Sequence, residues 1–374
     1  MSKSSPILAR IVAQTGIPDL YDRLARLSPS DLNSLLLEIF RARRHSPADL
    51  IRGAAGGTKF QWSGSTWDTS TSLTSPCAID ARVLHEFDRA ALETAAEFTA
   101  LDLSPVDPLG LQRTLGGIDQ NNVLSALRGV EVSGDPTSAL ALEAARRRKR
   151  GQSAVNLCAS QRVLRLQPFD VPGFSPHFRL FALATAARDS GSFSFEADAL
   201  SRHLRFYLNL FRTLNARGFA LKCPVVEFSD TRLIHQLLES KGISWDEVRR
   251  HAHAHQPGAA ERFLAERGVE LPTTTSDPQS DDLALINTRL FPQLRREYPE
   301  AEFRFNLSRL EGAGYYAGVC LRISPQAPDG NRYPIVDGGM TDWTARLLQN
   351  RKERFLATGI GSQFACLRYH VSSH

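Results

Sequence analysis

No apolar run in this 374-residue chain approaches the roughly 20 residues needed to cross a bilayer, so a membrane-spanning class is not expected. The opening MSKSSPILARIVAQTG has neither a long apolar core nor a small-residue cleavage site, and it does not read as a signal peptide. Cysteine is sparse. Cys77, Cys158, Cys223, Cys320 and Cys366 are scattered without a C-x-x-C pair, which argues for free thiols in a reducing cytoplasm. The run HAHAH puts His251 and His255 on one helical face, with His253 between them. It reads as solvated surface, and no metal site is expected there. Charge of one sign is also in short supply. Lys and Arg total 45 against 40 acidic residues, a net charge of +5, which permits contact with nucleotides or RNA without requiring it. With 42% hydrophobic and 23% charged residues, the composition is that of an ordinary globular protein. The length suits one large domain, alone or with smaller attachments.

Residues 1–52 read as helical. Ile7, Leu8, Ile11 and Val12 recur at helical spacing, and a second segment from Ser30 to Arg44 carries Leu32, Leu35, Leu36 and Ile39. The Gly-, Ser- and Thr-rich stretch from Gly53 to Ser75 reads as a linker, so a helical segment with linker is expected over 1–75 and the main domain over 76–374. That domain opens with an Ala- and Glu-rich helix, about Asp80 to Ala96, then a short strand in FTALDLSP. A strand over Leu127–Val132 leads through Gly134-Asp135-Pro136-Thr137 into a helix over Ser138–Arg150. Asp135 or Thr137 is a good N-cap, and the basic run Arg146 to Arg150 complements the helix C-terminus and faces solvent.

The centre of the chain reads as a long antiparallel hairpin. Val155, Leu157, Val163 and Leu166 mark its first strand, a loop bearing Pro168, Pro172, Gly173 and Pro176 follows, and a second apolar run extends from Phe178 to Leu183. Arg165, His177 and Phe181 are expected on one sheet face, where a guanidinium grips phosphate and a ring stacks on a base. A helix over Phe193–Leu214 follows, with Leu200, Leu204, Tyr207, Leu208 and Phe211 as its core face, then a strand over Val225–Phe228 and a helix to Leu238. Residues 240–300 read as a mainly helical insert, with Pro272–Asp282 a polar loop.

These stretches resemble the class II aminoacyl-tRNA synthetases, and histidyl-tRNA synthetase in particular, over about residues 80–374. Arg165-x-Gln167, a loop, then His177-x-x-x-Phe181 resembles the ATP-binding motif 2. The helix and strand over Asp80–Pro105 resemble motif 1, which builds the dimer interface. Gly134-Asp135-Pro136-Thr137 matches Arg-Pro-Glu-Gly-Thr, whose acid and hydroxyl help hold the amino acid, and Phe195-Glu196-Ala197-Asp198 falls where the family carries Asp-Ala-Glu. LSRLEGAGYYAGVCL, over 307–321, matches Leu-Val-Arg-Gly-Leu-Asp-Tyr-Tyr-Thr-Gly through Gly312, Tyr315, Tyr316 and Gly318. VDGGMTDWTARLL matches Gly-Gly-Arg-Tyr-Asp-x-Leu through Gly338, Gly339 and Asp342, and Gly359-Ile360-Gly361 stands where motif 3 lies. The resemblance implies an α+β fold, a mixed and mainly antiparallel sheet flanked by helices, with the helical segment in front and the helical insert inside.

The departures fall on charge. The family's catalytic arginine is Glu311 here; Arg309, two residues earlier on the same strand face, is expected to substitute in part. The arginine of Gly-Gly-Arg-Tyr is Met340, and motif 3's metal-holding Glu and nucleotide-clamping Arg are Gln363 and Phe364, with Arg368 one helical turn on. The acid of motif 2 is Gln167, and the two groups that bind the amino-acid ammonium fall at Leu183 and Ala187. One preorganised charged contact is worth about 3 kcal/mol of transition-state stabilisation, so several losses leave little adenylation by the family's route. The chain ends soon after motif 3, so an anticodon-binding domain is not expected and tRNA is not an expected partner.

Two functions follow from the resemblance. One is a non-tRNA-charging ligand-binding or regulatory subunit, similar to HisZ of ATP phosphoribosyltransferase: a cytoplasmic homodimer with a remnant pocket and a protein partner. The other is an ATP-dependent ligase that activates a different carboxylate or amino acid outside translation. The expected site comprises Arg165, His177, Phe181 and Arg368 for a nucleotide, with ATP as the cofactor and Mg²⁺ not bound in the family's way. Asp135, Thr137, Arg309, Glu311, Tyr315, Tyr316 and Asp342 would line the ligand pocket.

Overall fold

The computed structural model describes residues 6–42, 76–126, 128–166, 175–252, 258–271, 274–275 and 277–371. The linker expected over 53–75, Gln167 in the hairpin loop, and His253 and His255 lie outside them. The chain divides into two units, Met1–Ser75 with Ser125–Val130, and Pro76–Leu124 with Glu131–His374. In the first, the helical periodicity forms α1 (Pro6–Thr15), α2 (Leu20–Ala25) and α3 (Pro29–Ala42).

The second unit opens with α4 (Ala81–Thr94), capped by Asp80, which accepts a hydrogen bond from the Arg82 amide. β1 (Thr99–Ala100), β2 (Val106–Pro108) and α5 (Leu111–Gly116) come next. After β3 (Ser125–Ala126), which belongs to the first unit, come β4 (Val130–Val132) and α6 (Pro136–Lys149). The predicted hairpin is β5 (Ala154–Leu164) and β6 (His177–Arg188), followed by α7 (Ser194–Asn215), β7 (Lys222–Asp230) and α8 (Thr231–Ser240). The insert supplies α9 (Trp245–Ala252), α10 (Ala259–Glu266), β8 (Thr274–Thr275), α11 (Asp281–Leu285), a π-helical turn over Ile286–Leu290 and α12 (Phe291–Glu297). The stretch read as a loop over 272–282 thus contains a short strand. The chain closes with β9 (Glu302–Asn306), β10 (Val319–Gln326), β11 (Val336–Thr341), α13 (Trp343–Leu348), β12 (Glu353–Ile360) and α14 (Ser362–Tyr369).

Nine strands make one sheet in the order β1-β5-β6-β12-β11-β10-β7-β9-β8. Only the β1/β5 and β7/β9 pairs run parallel, so the sheet is mixed and mainly antiparallel, as expected. One face packs on α4, α7 and α12, where Leu200, Leu204, Tyr207, Leu208 and Phe211 are buried at the predicted helical spacing. The other face receives α6, whose Leu140, Ala141 and Ala144 lie against Ala182, Ala184 and Ala186 of β6. Small side chains on both partners let that helix approach closely. At its end Arg148, read as solvated, is part-buried instead and pairs with buried Glu353 at 2.8 Å.

A polar chain crosses the first layer. The Tyr207 hydroxyl donates to Thr358 Oγ1 (2.8 Å), and His203 sits between Thr358 (Nδ1, 2.8 Å) and Thr185 (Nε2, 2.9 Å). Thr185 donates onward to Asn156 Oδ1 (2.9 Å), so its oxygen accepts from His203 Nε2–H and Nδ1 is left as the acceptor from Thr358. A second ring proton would have to displace the Thr358 hydroxyl hydrogen from Nδ1. Burial accordingly holds the His203 pKa near 3, against an ordinary value of 6.5. Unfolded chains bind that proton below pH 6.5 and the native state does not, so this contribution to stability is complete above that pH and drains away as pH falls towards 3. A slope of up to about 1.4 kcal/mol per pH unit is expected. Urea unfolding of the protein and of His203→Gln, followed from neutral pH downwards, checks it. Parallel pH dependences for the two would contradict the assignment.

Candidate functional site

The helix N-terminus at Asp135 is the starting point. Its carboxylate accepts from the Thr137 amide (2.9 Å) and the Thr137 hydroxyl (2.7 Å), which fixes the first turn of α6. The Tyr315 hydroxyl lies 3.2 Å from Thr137 Oγ1, and because that hydroxyl is already donated to Asp135, Tyr315 is the donor. Arg165, just past the end of β5, donates to the Gly134 carbonyl (2.7 Å) and pairs with Asp135 at 3.2 Å. Asp135, Thr137 and Tyr315, expected in one ligand pocket, meet here, and Arg165, expected with His177 and Phe181, joins them instead.

They line a cavity of about 630 Å³. Phe178, Leu180 and Ala182 of β6 form one wall, and Tyr333 and Phe364 stand on another side. Tyr316 and Asp337 border it as well. The Tyr316 hydroxyl donates to Asp337 Oδ1 (2.7 Å), while the Arg309 guanidinium reaches both carboxylate oxygens at 2.8 Å. Arg309 is 1% exposed and Asp337 49%, so the arginine lies beneath and the carboxylate faces the open space. Burial pushes the phenols of Tyr315 and Tyr316 well above the usual tyrosine value, and both remain neutral donors. Gly312, at φ +87°, takes a turn that favours glycine, and a Cβ there would stand 2.6 Å from the Tyr316 ring.

Other expectations fail, most of them for one reason. Successive residues of a strand face opposite sides of the sheet, and the inward set on β6 is even-numbered. Phe181 is fully buried in the opposite layer, stacked on Phe206 at 5.5 Å, and cannot stack on a ligand. His177 is on that same side, 3.0 Å from Arg162. Leu183 belongs to the core there too. The aromatic ring beside Arg165 is Phe178, 5.3 Å from its guanidinium. The alternation Ala182, Ala184, Ala186 was the available signal, because a strand face of small residues marks where a helix packs.

Arg309 and Glu311 do not share a strand face, since the chain from Leu307 to Gly318 is a series of turns. Arg309 points into the protein, whereas Glu311 is 64% exposed and pairs with Arg322 at 3.4 Å, outside the cavity lining. Asp342 borders a different groove, with Asp189, Thr341 and Arg346, and pairs with Arg346. Arg368 stacks on Tyr333 and Phe364 at 5.1 and 5.5 Å, behind the cavity wall. Gln363 is 2% exposed and accepts from Arg162 at 3.2 Å. Asp337, Phe178, Tyr333 and Phe364 were not anticipated as lining residues.

No protein-family model matches the sequence, and no curated protein matches it either. Solved structures do. A histidine–tRNA ligase subunit from Alicyclobacillus acidocaldarius superposes with a TM-score of 0.59 at 14% identity, covering 81% of this chain and 97% of the other. Histidyl-tRNA synthetase from Nostoc gives 0.54 at 15% identity, covering 83% of this chain and 75% of that one. An ATP phosphoribosyltransferase regulatory subunit/histidyl-tRNA synthetase from Bacillus halodurans aligns more loosely, with a TM-score of 0.49 at 13% identity over 77% of this chain and 79% of the other. Over most of its length, this chain has the fold of these histidyl-tRNA synthetase structures.

Proposed function

We propose that the protein is a non-tRNA-charging ligand-binding or regulatory subunit, acting through the cavity around Asp135 and Asp337. The observation that carries the reading is how the charges are used. Of the two arginines that border the cavity, Arg165 is paired with Asp135, and Arg179 turns to the opposite layer and pairs with Asp88 at 3.0 Å. Adenylate formation requires preorganised positive charge on the phosphates. Glu311 is acidic and turned outward, and Gln363 is uncharged, so Mg²⁺ has no carboxylate at that position. ATP enters this proposal only as a weak ligand, held by Arg165 and Phe178 and indifferent to Mg²⁺. Pyrophosphate exchange with all twenty amino acids, and aminoacylation of bulk tRNA, are expected to stay at background. Exchange without aminoacylation would move the assignment to an ATP-dependent ligase; both together would end it.

The subunit is proposed to work in a reducing cytoplasm, in keeping with five free cysteines, and with a protein partner. It is also proposed to be a homodimer through the segment from Asp80 to Pro105. Leu92 on α4 is 44% exposed there and would be covered in such a dimer. Light scattering at micromolar concentration is expected to return twice the 41.4 kDa chain mass, and Leu92→Glu to halve it. A monomeric wild type would count against the dimer.

A further inference from the structure

We infer that the cavity is built for an uncharged, planar heteroaromatic ligand of nucleoside size that carries N–H donors, and that it discriminates against the phosphorylated form. The inference rests on the ligand-binding reading above.

Charge balance comes first. The ionisable carboxylates and guanidinia facing the cavity are Asp135, Arg165 and Asp337; Arg179 borders it from β6 but turns its guanidinium to the opposite layer. Each is matched: Arg165 with Asp135 at 3.2 Å, Arg179 with Asp88 at 3.0 Å, and Asp337 with Arg309 at 2.8 Å. A phosphate group entering here would have to pull Arg165 away from a carboxylate that is 16% exposed, leaving that acid half-desolvated and unpaired. A neutral ligand leaves all three pairs intact.

The walls come second. Phe178 projects from β6, while Tyr333 and Phe364, edge to face at 5.7 Å, stand elsewhere on the rim with Ile335 and Leu367. Aromatic faces of this kind hold a flat π-system without regard to its charge. The volume of about 630 Å³ falls in the range of roughly 300–1,000 Å³ occupied by small-molecule sites.

The acceptors come third. A carboxylate offers about four lone-pair sites. Arg309 takes one on each oxygen of Asp337 and Tyr316 takes another on Oδ1, which leaves acceptor capacity on Oδ2, on a side chain that is half exposed to the cavity. The ligand must therefore donate. Because Arg309 already neutralises Asp337, an N–H suffices and an ammonium is not needed.

Calorimetric titration with adenosine and with ATP as probes tests this. Adenosine is expected to bind at least as tightly as ATP, and Phe178→Ala to weaken adenosine by about tenfold, the loss of one stacked ring. Phe364→Leu, on the opposite part of the rim, gives the same readout should Phe178→Ala fail to fold. ATP binding more tightly than adenosine overturns the inference while leaving a ligand-binding subunit that grips anions. Adenosine binding unchanged in both folded variants, or absent from folded wild type, overturns it as well. The pyrophosphate-exchange assay needs neither result and judges the broader reading separately.

Discussion

Asp337→Ala is expected to lower the free energy of unfolding by about 3–5 kcal/mol. Arg309 is 1% exposed, and its Nη2 is held by both oxygens of Asp337. Its remaining hydrogen bonds, to the carbonyls of Glu311 and Leu321, and its place 5.8 Å over the Tyr316 ring supply no countercharge. Removing the acid leaves a buried guanidinium without a countercharge, and the loss is that of an unpaired buried charge, not of an exposed salt bridge. A stranded charge has a second, opposite consequence. Arg309→Met combined with Asp337→Ala removes the stranded charge and is expected to recover most of the stability, because an apolar pair of similar volume is often neutral in such a site. Urea unfolding of the two single variants and the double variant, with m-values checked for constancy, gives the coupling directly. A loss under about 1 kcal/mol in Asp337→Ala would show that the pair is as unimportant as an exposed one.

Gly338→Ala is expected to be nearly as severe for a different reason, about 3 kcal/mol or more. Gly338 sits in β11 directly opposite Thr358 of β12. A Cβ at that point overlaps the Thr358 methyl group and lies 2.6 Å from both the Ala357 carbonyl and Thr358 Cα. The last two are backbone atoms in the middle of a nine-stranded sheet, so no rotamer change relieves the clash. Thr358 is also the residue that ties Tyr207 and His203 together, and a displaced β12 breaks that chain as well. The same measurement applies. As a contrast, alanine at Gly361, where φ is −68° and the nearest atom to the new Cβ would be Phe364 Cβ at 3.5 Å, should be felt far less. Equal effects at the two sites would show that steric overlap is not what makes Gly338 costly.

How far the sequence could be read follows from what each signal depends on. Local periodicity located the hairpin, α7 and the helices of the insert, because burial of a 3.6- or 2-residue repeat is decided within the element itself. The Asp135 and Thr137 cap of α6 was also legible, since an N-cap is a local event; its meeting with Arg165, 30 positions away, was not. The side of β6 that faces the ligand was not. A strand's two faces differ by one residue of register, and Phe178 and Phe181 look alike until it is known which layer lies on which side. Arg309 was misplaced for a related reason. The run around it carries enough apolar residues to read as a strand, yet the chain turns there, at Gly312, and sends the guanidinium inward. Asp337 was invisible because its importance comes from an arginine 28 positions away.

The turn that carries Tyr315 and Tyr316 has a second side. Leu310 and Ala313 pack into the small core made by α8, α9 and α10, the Trp245 indole closes over Gly314, and His235 Nε2 meets the Ala313 carbonyl at 2.7 Å. One short stretch of backbone is thus gripped by the insert behind and furnishes the cavity in front. Sequence change on either side is not free of the other: a substitution in α9 that moves Trp245 is passed through a few bonds to the tyrosine hydroxyls that meet Thr137 and Asp337. Insert and pocket therefore make a single evolutionary unit. A chimera that exchanges the insert alone would inherit a cavity whose two phenols are set for another protein.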